Sequence, residues 1–471
     1  MPFPILAGKA ITATGFSVDN SCVFEAGYLK KTVTASSATS WTLSFWMKLH
    51  SHSASSEGYI WSYGKDGGQG FYIGTSGFLG YYAPSAGGYG SDNALTDGPL
   101  RDNGAWYHVV FKCSSGTGTT YLNGVQQSGG TVSNVAPLNA TTGDTYAVNS
   151  YINYEDNFDD CRCNLAEYCL IDGSALNPTS FGEFDEDSPR IWKPIDVSGL
   201  TFGTNGFYLK FEDSSDLGVD SSGNSNDFTA TRVAAGDQSL DTPTNNFATL
   251  NNLGMPTTNT TFTEGNLNVN VAAGSTYWSV PTIGVSSGKW YVEGKLITAT
   301  ASSGVYYADY GFADRNDSAG ESFYVMSGRA FWLSYWDSKI NYRTGGSTTA
   351  GLQTGKTGLS QGDFFQLYLD MDNELMYWGL NGSVTNSTGI SFNGKESLTG
   401  EWYFAFGDQY TNGAHNYAVN FGGGSIDGTA VSSYNDANGY GNFKYNPTVT
   451  TDEGAKDFLA LCTKNLAEHG G

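Results

Sequence analysis

With 471 residues the chain is too long for one β-sandwich, and two to three domains is the sensible expectation. Its 46 acidic residues against 23 basic ones give a net charge of −23, which repels phosphate backbones and anionic membranes and argues against nucleic acid as a direct partner. No apolar run approaches the roughly eighteen residues of a membrane span, and MPFPILAGKAITATG lacks the basic start and long apolar core of a secretory signal.

Abundant glycine (62), tyrosine (30) and phenylalanine (27) describe short aromatic strands joined by many turns, an all-β chain. In chain order, residues 1–15 form an arm. Pro2, Pro4 and Gly8 forbid regular structure there, while Phe3, Ile5 and Leu6 offer an apolar patch for anchoring on a partner surface. The alternative is a first edge strand packed on its own domain. Strands begin at Cys22: Trp41, Leu43, Phe45 and Met47 alternate with Thr42, Ser44, Trp46 and Lys48, with one apolar face inward. Ile60–Tyr63 and Phe71–Ile73 are further short strands. After a loop over 83–102, Trp106–Phe111 is a strand, Ser114–Gly118 a turn, and Thr119–Leu122 runs into Asn123-Gly124, the dipeptide of a type I′ hairpin. Asn164–Ile171 is a strand ending at Asp172-Gly173.

The first domain is placed at 16–235 and a polar linker with Pro243 and Pro256 at 236–261. A second β domain follows at 262–425. It repeats the hairpin grammar in FFQLYLDMDNELMYWGLNGSV, with turns at Asp372-Asn373 and Asn381-Gly382. The tail, 426–471, carries the one helix candidate: Thr450 and Glu453 have capping-box spacing, and Phe458, Leu461, Cys462 and Leu466 suit one apolar stripe. The six cysteines show no disulfide framework, so free thiols are expected.

The order CVFEAGYLKKT, SWTLSFWMK, WYHVVFKC, TTYLNGVQQ and NLAEYCLIDGSALNPTSFGEFDED resembles the laminin-G-like, concanavalin-A-like jelly rolls. It looks most like the version in virion structural proteins of marine bacteriophages, and the match covers roughly residues 16–252. Cys161-Arg162-Cys163 departs from it, since the family more often has a small or aromatic pair there. GKWYVEGKL, YGFADR, AFWLSYW, the 362–382 hairpin, EWYFAFGD and YAVNFGG, over 262–425, are similar to an SPRY domain. KDFLALCTKNL resembles the segment after the SPRY unit in the same phage proteins. The resemblance implies two tandem sandwiches in a virion protein on the particle exterior, made in the host cytoplasm. It would hold other virion proteins through the arm or tail. The leading version is a tail fibre or receptor-binding adhesin for host surface glycan. A capsid decoration or head-fibre protein is the second, and a polysaccharide depolymerase the third. With no heptads, homo-oligomers would assemble through strand edges or tails.

No catalytic residue is assigned. Glu183 and Asp185 match two places of the E-x-D-x-x-E strand of sandwich-fold glucanases, but Ser188 holds the third, where the acid/base belongs, and Pro189 suggests a loop. Asp370, Asp372 and Glu374 would share a face only if no turn intervened at Asp372-Asn373. The loop with Glu155, Asp156, Asp159 and Asp160, and the looser set Asp92, Asp97 and Asp102, are candidate calcium sites or solvated acidic loops. Cys161, Cys163 and Cys169 with His108 have the ligand types of a zinc site but no C-x-x-C pair; the alternative is buried, inert thiols. For saccharide, aromatic faces stack on pyranose rings while Asp and Asn hold hydroxyls. The loop candidates are Tyr81, Tyr82, Tyr89, Asp92 and Asn93 in the first domain. In the second they are Tyr306, Tyr307, Trp336, Asp337, Tyr342 and Arg343.

Overall fold

The computed structural model describes residues 15–51, 57–64, 68–82, 94–141, 143–151, 161–252, 260–272, 277–299, 309–314, 329–334, 339–344, 347–353, 359–385, 387–391, 400–408 and 414–470. The chain divides between Asn246 and Phe247 into two compact units, each all-β. The arm with Phe3, Ile5 and Leu6 lies outside the described residues.

The first unit contains β1 (Ser21–Phe24), β2 (Tyr28–Thr32), β3 (Trp41–Ser51), β4 (Gly58–Gly64), β5 (Gln69–Ile73) and β6 (Leu79–Tyr82). Then come β7 (Trp106–Ser114), β8 (Thr117–Leu122), β9 (Val125–Ser133), β10 (Thr145–Val148) and β11 (Arg162–Asp172). The last are β12 (Gly182–Phe184), β13 (Trp192–Pro194), β14 (Phe207–Leu209), β15 (Thr229–Thr231) and β16 (Gln238–Ser239). One sheet has the order β16-β1-β11-β3-β7-β8-β9, with β14 added beside β11; the other runs β15-β2-β10-β4-β5-β6. The expected hairpin forms as read: Leu122 pairs with Val125 across Asn123 (φ 48°) and Gly124 (φ 77°), the paired positive φ of a type I′ turn. Gly124 is needed twice over, because a Cβ there would sit 2.4 Å from the Trp192 ring.

Between the sheets Trp41 meets Trp61 (5.7 Å), Tyr63 (5.7 Å) and Phe111 (5.2 Å), an aromatic core filled from both sides. The second face of β3 is covered as well, since Thr42, Ser44, Trp46 and Lys48 are all buried. The chain between β11 and β14 folds back as a roof. Phe181, Val197, Phe202 and Tyr208 pack on Val110, Cys169 and Ile171, and Trp192 packs on Trp46 and Ala166. The large sheet is therefore a middle layer.

The linker reading is corrected by the same layer. Residues 236–246 complete the first unit: β16 pairs with β1, and Asp241 accepts from the buried Lys48 Nζ at 2.7 Å and from Trp106 Nε1 at 3.0 Å. Residues 247–252 belong to the second unit, with Ala248 N–H donating to Leu461 O and Leu250 N–H to Asn266 O. The stretch is polar because it satisfies a buried charge, not because it is solvated.

The second unit holds β17 (Thr260–Thr263), β18 (Asn268–Val271), β19 (Tyr277–Ser279), β20 (Lys289–Ala299) and β21 (Asp309–Asp314). Next are β22 (Ala330–Ser334), β23 (Lys339–Thr344), β24 (Ser347–Gln353), β25 (Phe364–Asp370) and β26 (Leu375–Leu380). The remaining long strands are β29 (Trp402–Asp408) and β30 (His415–Asn420), after the two-residue β27 (Ser383–Val384) and β28 (Ile390–Ser391). Its sheets run β17-β18-β30-β20-β25-β26-β27 and β19-β29-β21-β22-β23-β24. Leu380 pairs with Ser383 across Asn381 (φ 49°) and Gly382 (φ 84°), so both units carry the same turn.

The tail is part of this unit. Where a helix was expected near Thr450, Thr448–Thr451 and Gly454–Asp457 form a hairpin, Leu459–Ala460 runs parallel beside β20, and the helix spans Thr463–His469. The β-branched run TVTT and Gly454 at φ 119° favour the hairpin over a capped helix. Glu293, on β20, holds the tail down by accepting from the backbone N–H groups of Lys444 (2.8 Å) and Tyr445 (3.0 Å).

Candidate binding site

Of the eleven saccharide candidates, Tyr89, Asp92, Asn93, Tyr306, Tyr307, Trp336 and Asp337 lie outside the described residues. Tyr81 is corrected: it is a core residue on β6, stacked on Phe111 at 5.6 Å, its hydroxyl bonded to Gln69 Oε1 and Tyr63. Tyr342 is likewise buried on β23, its ring 4.8 Å from Phe331, and Arg343 beside it is 9% exposed. All three sit within strands, not in the loops where sequence placed them, and both faces of β23 are covered at Tyr342 and Arg343. Tyr82 stays half-buried at the end of β6, edge-on to Tyr151 at 5.9 Å.

The acidic groupings are tied up. Lys193 Nζ lies 3.3 Å from both Glu183 and Asp185, and Asp185 Oδ1 also accepts from the N–H groups of Asp187 (3.0 Å) and Ser188 (2.8 Å). Those donors, Ser188 first, hold the Asp185 carboxyl below its usual pKa, so it turns the chain and stays ionised. Asp370 is fully buried and caps Asn373; Asp372 accepts from Gly288 N–H at 2.7 Å; Glu374 sits in the turn at φ 54°. The three carboxylates do not share a face. Asp97 Oδ1 accepts from Ser128 Oγ and from Ser128 and Gly129 N–H, and Asp102 from Gly104 N–H. Asp92 and the 155–160 carboxylates lie outside the described residues.

One Ser–His pair does form, which sequence could not assemble. His108 Nε2 lies 2.9 Å from Ser44 Oγ, but Nδ1 accepts from Trp192 Nε1 at 2.8 Å. The indole therefore fixes the tautomer with the proton on Nε2, pointing at the serine, which is the wrong way round for a general base. Burial pushes the imidazole down to about 3, so it stays neutral. Among the described residues no three of His, Cys, Asp and Glu gather as metal ligands, and all six cysteines are free and buried. The zinc reading of Cys161, Cys163, Cys169 and His108 has no geometric support.

Inside the second sandwich a hollow of about 10 Å³, room for about one water, lies among buried core side chains. Leu296, Tyr310, Leu359, Phe365 and Phe406 make its apolar wall, and Asp309 and Tyr417 bring oxygens to it. Tyr417 Oη lies 3.0 Å from Ser279 Oγ. A hollow of this size is a packing gap, since small-ligand sites usually span about 300–1,000 Å³. The wall residues carry no signal in sequence, since they are ordinary strand residues. Asp309 does carry one: it is an acid at the buried start of an aromatic strand.

A family described as "Concanavalin A-like lectin/glucanases superfamily" matches residues 25–162, less than half of the chain. No curated protein matches. Among solved structures the chain is similar to a putative carbohydrate binding protein from Bacteroides ovatus, with 14% identity, 46% of this chain and 60% of that one covered, and a TM-score of 0.35. It is similar to a heptameric SAP-like pentraxin from Limulus polyphemus, with 20% identity, 34% and 78% covered, and a TM-score of 0.27. The SPRY domain of human HERC1 gives 16% identity, 35% and 96% covered, and a TM-score of 0.27. With every score below 0.5, nothing about this protein is inferred from these three. The family match and the layered sheets agree on one conclusion: the chain is all-β, with a concanavalin-A-like first domain.

Proposed function

We propose that the protein is a non-catalytic glycan-binding protein displayed on the exterior of a phage particle, as a tail fibre or receptor-binding adhesin. Its two sandwiches would meet host surface saccharide at their rims. The observation that carries the reading is where the exposed chemistry lies. In the first unit the roof covers the outward face of the large sheet, which leaves the rims, the loops and the outer face of the smaller sheet to a ligand. In the second, Tyr310, Phe365 and Phe406 are buried core, so a ligand would meet its loops as well. The tied state of Glu183, Asp185, Asp370 and Asp372 also speaks for binding over hydrolysis, because a glycosidase needs two free carboxyls flanking one bond. The phage setting rests on the sequence resemblance over 16–252 and 262–425.

Glycan-array binding by the full chain, reduced at least tenfold in Tyr306→Ala or Trp336→Ala and retained in Tyr434→Ala, is the expected result. Absence of binding together with hundreds of copies per particle would replace the adhesin with a capsid decoration protein. Reducing ends released from host polysaccharide, and lost in Glu183→Gln, would replace it with a depolymerase.

A further inference from the structure

Two side chains from the far end of the first unit meet the amine of Lys48. That residue is fully buried on β3, the middle strand of the large sheet. Its Nζ lies 2.7 Å from Asp241 Oδ2 and 2.8 Å from Asn246 Oδ1. Each partner is itself held. Trp106, opposite Lys48 in the β3–β7 pairing, donates Nε1–H to Asp241 Oδ1 at 3.0 Å, which leaves Oδ2 to the amine. Asn246 Nδ2 donates to Gly104 O at 2.7 Å, which fixes the amide with its oxygen toward Lys48. The amide carbon is one C=O bond, about 1.2 Å, from that oxygen, so Nζ stands within about 4 Å of it. Asn246 is only half-buried, which gives a small leaving group a way out.

An amine held between a carboxylate and a carboxamide can do more than form an ion pair. A lysine amine is a nucleophile once a positioned base takes its proton, and Asp241 is within the reach that such a transfer needs. Holding amine and acyl carbon together removes the entropic cost that makes amide exchange slow in solution. We propose that Lys48 and Asn246 join in an intramolecular isopeptide bond, with Asp241 as the proton carrier. The Nζ–Cγ bond forms and the Cγ–Nδ2 bond of Asn246 breaks. Two protons leave Nζ and pass through Asp241 to Nδ2, which departs as ammonium. Asp241 ends ionised as it began, and Nζ keeps one N–H to donate to it. No oxidant or further reactant enters. The bond would span 198 positions in a chain whose six cysteines are all free. Asn246 is the last residue of the first unit, so the outgoing chain would be tied to the middle of the large sheet and not only through β16 at its edge. Tension on the chain at that boundary would then load β3 before it could peel β16 away.

Mass spectrometry of the purified full chain, intact and after trypsin, tests the bond. The expected chain is lighter than its sequence by one ammonia. Its digest contains a branched peptide that joins the stretch around Lys48 to the stretch around Asn246, with no cut after Lys48. Asn246→Ala, which keeps the Lys48–Asp241 pair, regains the ammonia mass and loses the branched peptide. A cooperative melt of that variant shows that the missing bond is not a missing fold. In Asp241→Asn, which keeps the side-chain shape, the branched peptide falls at least roughly tenfold. A wild type at its full sequence mass, with no branched peptide, would overturn the bond and leave a buried ion pair alone. Loss of one water, with the branch on Asp241, would overturn the assignment to Asn246. A branched peptide undiminished in Asp241→Asn would overturn the role given to that carboxylate.

Discussion

Glu167 shows how one residue can resist both pattern and propensity. It sits within β11, at a bulge where the register with β3 shifts between Ala166 and Cys169, with φ 48° and its carboxyl bonded to the Tyr208 hydroxyl. Burial raises the carboxyl to about 7, against the pull of Tyr208 and Lys210. A carboxyl raised in the fold lends stability that is full below its unfolded value near 4.5 and is lost as pH climbs to and through 7. That gap is worth about 3 kcal/mol. Urea melts at pH 5 and pH 8 should show the wild type losing stability of this order and Glu167→Gln losing much less; equal losses would assign the pH dependence to other groups. Tyr81 gives a second check at this scale. Tyr81→Ala should cost about 3–5 kcal/mol by opening the aromatic core, whereas a surface ligand contact would cost binding and leave the melt unmoved.

Elements were legible where local chemistry left no choice. Asn-Gly specified both type I′ turns, because only residues tolerant of positive φ close a two-residue hairpin. The tail was misread because Thr450 and Glu453 matched a capping box by spacing alone, while Gly454 at φ 119° closes a strand turn. The two readings differ in sign. In a helix interior Gly→Ala stabilises by about 1 kcal/mol. In this turn Gly454→Ala should destabilise by about 1 kcal/mol or more, and denaturant melts of the full chain decide between them.

For the whole molecule, the division at Asn246 and Phe247 predicts that residues 15–246 and 247–471 each fold alone, with β-rich spectra and cooperative melts. Ending the first piece at 235, as the sequence boundary would have it, removes Asp241 and leaves Lys48 buried without its partner. Breaking a buried pair typically costs 3–5 kcal/mol, so the shorter piece should melt well below the longer one; equal melts would show that Asp241 is dispensable. By itself the sequence determined an all-β chain, two sandwiches, their hairpins and the low basic content, since these follow from composition, period and turn chemistry within a few residues. Which strand face was covered was decided only in three dimensions. The roof over β3, β7 and β11 and the capture of Lys48 by Asp241 join residues far apart in the chain, 193 positions for that pair. Alternation along a strand says that two faces differ; what lies against each face depends on chain far away.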